Sequence, residues 1–197
     1  MVISTLPTPT PFASKVAGIA QDQHTMFGGM DEDTPKLSAQ IKKYWTTLQL
    51  PFPGVSTAWA SVFISFCVQQ AGATSSEFKF AAAHAVFVHE AIQNARSSSG
   101  VFRAFPISAE AANIGDIIQN NRSKGTVDYR FAENNTDYIS HSVIVIQRGV
   151  DSVGKFALVV GGNEGDSIRK TTLRLNSDGS VKQKATHPFI CIIKNLK

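Results

Sequence analysis

A helix whose first turn is buried beside a sheet is a favourable seat for a nucleophile, because its unpaired backbone N–H groups and its dipole stabilise a thiolate or an oxyanion. The segment Thr57-Ala58-Trp59-Ala60-Ser61-Val62-Phe63-Ile64-Ser65-Phe66 opens such a helix, which continues through Cys67-Val68-Gln69-Gln70-Ala71 to Gly72. Much later a strand begins with an imidazole, His141-Ser142-Val143-Ile144-Val145-Ile146. Helix and then histidine-bearing strand is the first pairing of residues with chemical potential. The two cysteines, Cys67 and Cys191, sit in apolar surroundings without a second cysteine or histidine at a ligand spacing, so neither a disulfide framework nor a metal site is expected. His84 and His89 are five residues apart and do not form the i, i+4 zinc arrangement. His24 and His187 read as solvent-facing, and the phosphate-loop, dinucleotide, serine-elbow and His-Glu-x-x-His motifs do not occur.

The elements that must position these residues follow from periodicity. The chain has 197 residues, 43% of them hydrophobic, enough for one domain that needs no staple. Residues 1–35, with their Thr-Pro alternation, Gly28-Gly29 and Asp31-Glu32-Asp33, read as an extended N-terminal arm, and residues 36–197 as the single folded domain. Leu37, Ile41, Tyr44, Trp45 and Leu48 predict a first helix; the apolar run from Ser56 to Gly72 predicts a second; Phe78 to Arg96 predicts a third. After residue 113 the pattern shifts to strands, at 114–118, 141–147, 155–160, 167–175 and 189–193. Helices first and strands after predict an α+β fold, with a mainly antiparallel sheet of about five strands packed on one helical layer. The formal charge of +4 is scattered, without a Lys/Arg stripe or aromatic interleaving, which argues against nucleic acid, and no apolar run is long enough for membrane insertion.

The residues then resemble a family. The Trp59-Ala60-Ser61-Val62-Phe63 helix start, the Gly115-Asp116-Ile117-Ile118 strand and the His141-Ser142-Val143-Ile144 strand look like the papain-like, NlpC-type cell-wall peptidases and amidases. Tyr44-Trp45, Trp59 to Ser65, Ala83-His84, Phe102-Arg103-Ala104, Gly115-Asp116 and Gly161-Gly162-Asn163 occur in the order associated with a bacterial branch of uncharacterised domains in that superfamily. The resemblance implies a papain-like fold, no cofactor, and hydrolysis of an amide in a peptidoglycan stem peptide. It makes position 60 the nucleophile site, His141 the general base and Asn163 the group that orients the imidazole, with Glu164 and Asp137 as alternatives for that last role. Trp59, Ser61 and His84 become substrate-side residues. Independently of the resemblance, Arg122 or Arg103 could serve a substrate carboxylate, with plain surface placement as the alternative.

One departure bears on all of this: relatives carry Cys or Ser where this chain has Ala60, and a methyl group cannot attack a carbonyl. Three explanations stand: an engineered knockout, a natural pseudoenzyme, or a neighbouring nucleophile. Ser61 is rotated about 100° from position 60 around the helix, and Cys67 lies about 10 Å further along its axis, so both are poor surrogates. The opening residues lack the basic and apolar regions of a secretory signal. With the resemblance, that suggests an antibacterial effector made in the bacterial cytoplasm and exported by a specialised machine such as a type VI apparatus. Such an effector implies a cognate immunity protein that plugs the cleft. The rival expectations are a catalytically dead wall- or peptide-binding module and a cytoplasmic amide hydrolase.

Overall fold

The computed structural model describes residues 8–197. Four helices come first: α1 (Pro11–Phe27), α2 (Pro35–Thr47), α3 (Ala60–Ala71) and α4 (His84–Arg96). Strands β1 (Phe102–Pro106) and β2 (Ile117–Asn121) follow, then the short helix α5 (Tyr129–Asn134), then β3 (Ser140–Asp151), β4 (Gly154–Gly161), β5 (Arg169–Arg174) and β6 (Phe189–Asn195). The strands form one sheet in the order β1-β6-β2-β3-β4-β5, with every neighbouring pair antiparallel. The α+β class read from the sequence therefore holds, but the sheet has six strands and not about five. The addition is β1, Phe102-Arg-Ala-Phe-Pro106, an edge strand whose Arg and terminal Pro mask its pattern.

The expected extended arm is also corrected. From Pro11 onward most of it is a 17-residue helix, started by the Thr10 hydroxyl accepting from the Ala13 N–H at 3.0 Å with Pro11 in the first turn. Val16, Ala20 and Phe27 reach the main core at helical spacing. Gln23 ties this helix to α2 by accepting hydrogen bonds from Tyr44 Oη (2.8 Å) and Gln40 Nε2 (3.0 Å). The N-terminal part of the arm, residues 1–7, lies outside the described residues.

Helix α3 lies in the middle of the core and is buried on every side along most of its length. It begins at Ala60, not at Ser56, and ends where Gly72 takes a left-handed φ of 108°. Tyr44 of α2 packs on its aromatic face, with ring centroids 5.8 Å from Phe63 and 4.8 Å from Phe66. Along β3 the side chains alternate between two cores, Ile144 with the helices and Val143 and Val145 on the other face. That other face was not expected to be covered. It holds a second cluster, Ile107, Ala112, Ile118, Val159, Leu175, Val181 and Ile192, closed by two loops joined from Ala112 N to Gly179 O at 3.0 Å. Asp116 buries its carboxylate there in an ion pair with Lys194 and accepts from the amides of Asn113 (2.7 Å) and Asn195 (3.0 Å). Burial pushes its carboxyl pKa up and the Lys194 cation opposes that shift. The Gly115-Asp116 motif thus holds a strand end in place.

Candidate functional site

The first residue of α3 is Ala60. The first helical bond runs from Phe63 N to Trp59 O at 3.0 Å, and no side chain among the described residues caps the preceding amides. Those N–H groups form the positive end of a helix that opens on a cavity of about 220 Å³, bordered by Ala60, Ser61, His84, Ser140, His141 and Asn163 among others. Ala60 and His141, far apart in sequence, therefore border one cleft. The arrangement can seat a nucleophile at position 60, an imidazole beside it, and backbone donors for developing negative charge.

His141 is the second residue of β3, opposite Asn120 of β2, and is 6% exposed. Its Nε2 lies 2.9 Å from Glu164 Oε1. With Nε2 paired to the carboxylate, Nδ1 is the nitrogen left for chemistry in the cleft. This pairing replaces the expected Asn163–His141 contact. Continuing the β3–β4 register, in which Ile144 faces Val160, would set residue 163 opposite His141. The strand stops at Gly161, however, and Asn163 takes a left-handed φ of 57° that turns the chain. Asn163 still borders the cleft, but its amide donates to Glu32 Oε2 at 3.1 Å, and the next residue returns to the imidazole. The return is tight: a Cβ on Gly161 would sit 2.5 Å from Glu164 Oε1 and 2.9 Å from His141 Nε2.

Glu32 is the residue that sequence reasoning missed. The same Oε2 that receives Asn163 accepts the Trp59 indole N–H at 2.8 Å. One carboxylate from the α1–α2 loop thereby pins both the residue before α3 and the loop that carries Glu164. Trp59 itself is fully buried, with its ring beside Tyr44, so its expected substrate-side role is corrected to a structural one. The acidic run Asp31-Glu32-Asp33 counts in the sequence only as part of the arm, and nothing local marks its middle member.

Ser61 borders the cleft but is 2% exposed, and its hydroxyl donates to Ala81 O at 2.8 Å. Cys67 and Cys191 are wholly buried, which pushes both thiols far above their ordinary range and leaves them inert. His84 opens α4 and lies edge-on to His141, with ring centroids 5.7 Å apart. Its Nδ1 is buried without a hydrogen-bond partner among the described residues, and burial, followed by the neighbouring His141, drives its pKa well down. His84 is therefore a neutral imidazole in the cleft wall. Asp137 forms no described contact with His141, whereas Arg122 borders the cleft and Arg103 spends its guanidinium on Ser98, Ser99 and Gly100 carbonyls. Among the described residues no group of three His, Cys, Asp or Glu is disposed to hold a metal ion, and no helix is long and apolar enough to cross a membrane.

The fold and cleft define an α+β protein in which the N-terminus of a buried helix shares a cavity with a histidine on the adjoining sheet, and that histidine pairs with a carboxylate from the β4–β5 loop. The chain belongs to a family of uncharacterised proteins conserved in bacteria, DUF2272, whose pattern matches residues 18–190. No curated protein and no solved structure matches it.

Proposed function

We propose that this chain is a papain-like hydrolase of amide bonds in peptidoglycan stem peptides, in a form disabled by Ala60 at the nucleophile position. The observation that carries the reading is buried His141, which borders the same cavity as the start of α3 and has its Nε2 paired with Glu164 Oε1 at 2.9 Å. The helix–sheet order agrees with the papain-like resemblance. In the competent form a Cys or Ser stands in place of Ala60. His141 Nδ1 takes its proton as the sulfur or oxygen bonds to the scissile carbonyl carbon, and Glu164 holds the ring in the required orientation. The carbonyl oxygen gains the negative charge and faces the α3 amides. His141 then returns the proton to the leaving amine as the C–N bond breaks, and water releases the acyl group by the reverse proton route. Neutral His84 lines the cleft beside this path without adding a competing positive charge.

Export as an antibacterial effector belongs to the same reading, with an immunity protein seated over the cleft. Ile139, 69% exposed at its rim, supplies an apolar anchor for substrate or plug. Ala60 itself favours a second reading, a module that grips wall peptide without cutting it. Muropeptide mass spectrometry separates the two. Purified peptidoglycan is incubated with the unmodified chain, with Ala60→Cys, and with Ala60→Cys/His141→Ala. Cleavage by Ala60→Cys alone is expected, and the product masses name the bond. No cleavage by a folded Ala60→Cys protein, together with wall binding by the unmodified chain, would establish the binding module in its place.

A further inference from the structure

A second cavity, of about 160 Å³, lies on the other side of His141 and shares both His141 and Arg122 with the first. Its floor is apolar, from Val143, Val159, Leu173 and Phe189, and its polar border is Asn120, Arg122, Glu164, Thr171, Lys184 and His187. We propose that this cavity is an anion subsite of the cleft, in which Arg122 and Lys184 take a free carboxylate of the peptide substrate. The proposal rests on the hydrolase reading for the scissile bond and adds the chemistry of the group next to it.

Three observations support it. The sole carboxylate on the border, Glu164, is engaged through Oε1 by His141, while neither Arg122 nor Lys184 forms an ion pair among the described residues. Two cations therefore share one pocket whose carboxylate is in hydrogen-bond contact with the imidazole and not with either of them. Lys184 lies 4.6 Å from the Phe189 ring, and partial burial followed by the nearby Arg122 charge lowers its pKa, against the opposing pull of the Glu164 carboxylate. An anion between the two cations relieves that repulsion above a floor of low dielectric.

The second observation is that the backbone segments carrying the two cations are anchored. Arg122 continues β2 past its end, with its N–H on Ile139 O at 3.1 Å, two residues beyond the Asn120 that faces His141. The period of a strand returns Arg122 to the His141 side of the sheet. The loop carrying Lys184 and His187 is closed on itself by Gln183, whose Oε1 accepts from Lys184 N (3.0 Å) and Phe189 N (2.7 Å) and whose Nε2 donates to Phe189 O (2.8 Å). The third is size. The cavity has room for about five waters, enough for a carboxylate with a few flanking atoms and too little for a sugar ring with its shell.

The test uses the unmodified chain, which carries Ala60 and so reports binding without turnover. A muramyl peptide is titrated calorimetrically in two forms, with its carboxylates free and with every carboxylate converted to carboxamide, at low ionic strength. The free acid is expected to bind the unmodified chain at least about tenfold more tightly than the amide, the worth of one charge-assisted contact. In Arg122→Gln/Lys184→Gln that preference is expected to fall below about threefold. Both side chains are exposed, so the variant keeps the fold, which circular dichroism checks. Equal binding of acid and amide, absence of binding by either, or a preference that survives the double substitution would overturn the subsite. So would preferential occupation by inorganic phosphate used as competitor. Wall cleavage by Ala60→Cys without acid preference sinks the subsite alone. Acid preference without any cleavage by Ala60→Cys sinks the hydrolase reading and leaves the subsite standing.

Discussion

Removing the Glu32 carboxylate is expected to destabilise the protein by an amount that depends on Trp59. The indole N–H is fully buried and Glu32 Oε2 is its acceptor at 2.8 Å. Glu32→Ala leaves that donor unpaired, at a cost of about 1–3 kcal/mol, and also frees Asn163, which is partly exposed and can turn to water for less. The expected total is about 2–4 kcal/mol by urea denaturation at 25 °C. In a Trp59→Phe background the orphaned donor no longer exists, so the same substitution should cost no more than about 1 kcal/mol. Glu32→Gln, which keeps an acceptor, should fall between. If Glu32→Ala costs the same with and without the indole N–H, the pin at the start of α3 does not exist and the reasoning fails. In the Ala60→Cys form Glu32→Ala should lower kcat by about ten- to a hundredfold with KM little changed, because it moves the loop that holds Glu164 and not the substrate.

Asp116→Ala strands the Lys194 ammonium in the second core and should cost about 3–5 kcal/mol, much of it recovered in Asp116→Ala/Lys194→Met; equal stabilities of the single and double variants would contradict this. His84 has a folded pKa well below its ordinary 6.5, so the unfolded chain takes up a proton that the native state refuses once the pH falls below that value. Its effect is absent above about pH 7 and removes up to about 1.4 kcal/mol of stability per pH unit on descending into acid. His84→Gln should flatten the acid limb of the stability–pH curve measured by urea denaturation, and an unchanged slope would refute the neutral buried imidazole.

The parts of the fold that could be read from the sequence are those in which one physical signal dominates. Helix α3 and the first half of strand β3 are apolar enough to be buried on both sides, and the run from Val143 to Ile146 reads as a strand because both faces of the sheet are covered there. Helix α1 was missed because Thr10-Pro11, an N-terminal helix signature, sits inside a Thr-Pro alternation that reads as extended chain. That position 60 and His141 come to one cavity was legible, and the contacts around the imidazole were not. Whether Asn163 or Glu164 meets the imidazole depends on one left-handed residue after Gly162, and whether Glu32 matters depends on an indole N–H more than twenty residues away in sequence. Neither leaves a periodic trace.

The proposed nucleophile seat at position 60 depends on activation by the α3 terminus and His141. Its most direct test needs no knowledge of the substrate: the rate of alkylation of Ala60→Cys by iodoacetamide is followed against pH. Cys67 and Cys191 are buried and serve as unreactive internal controls. The introduced thiol is expected to titrate at least about one unit below the ordinary 8.5, and to move back up in Ala60→Cys/His141→Ala. A thiol that titrates at its ordinary value in both proteins would contradict the account.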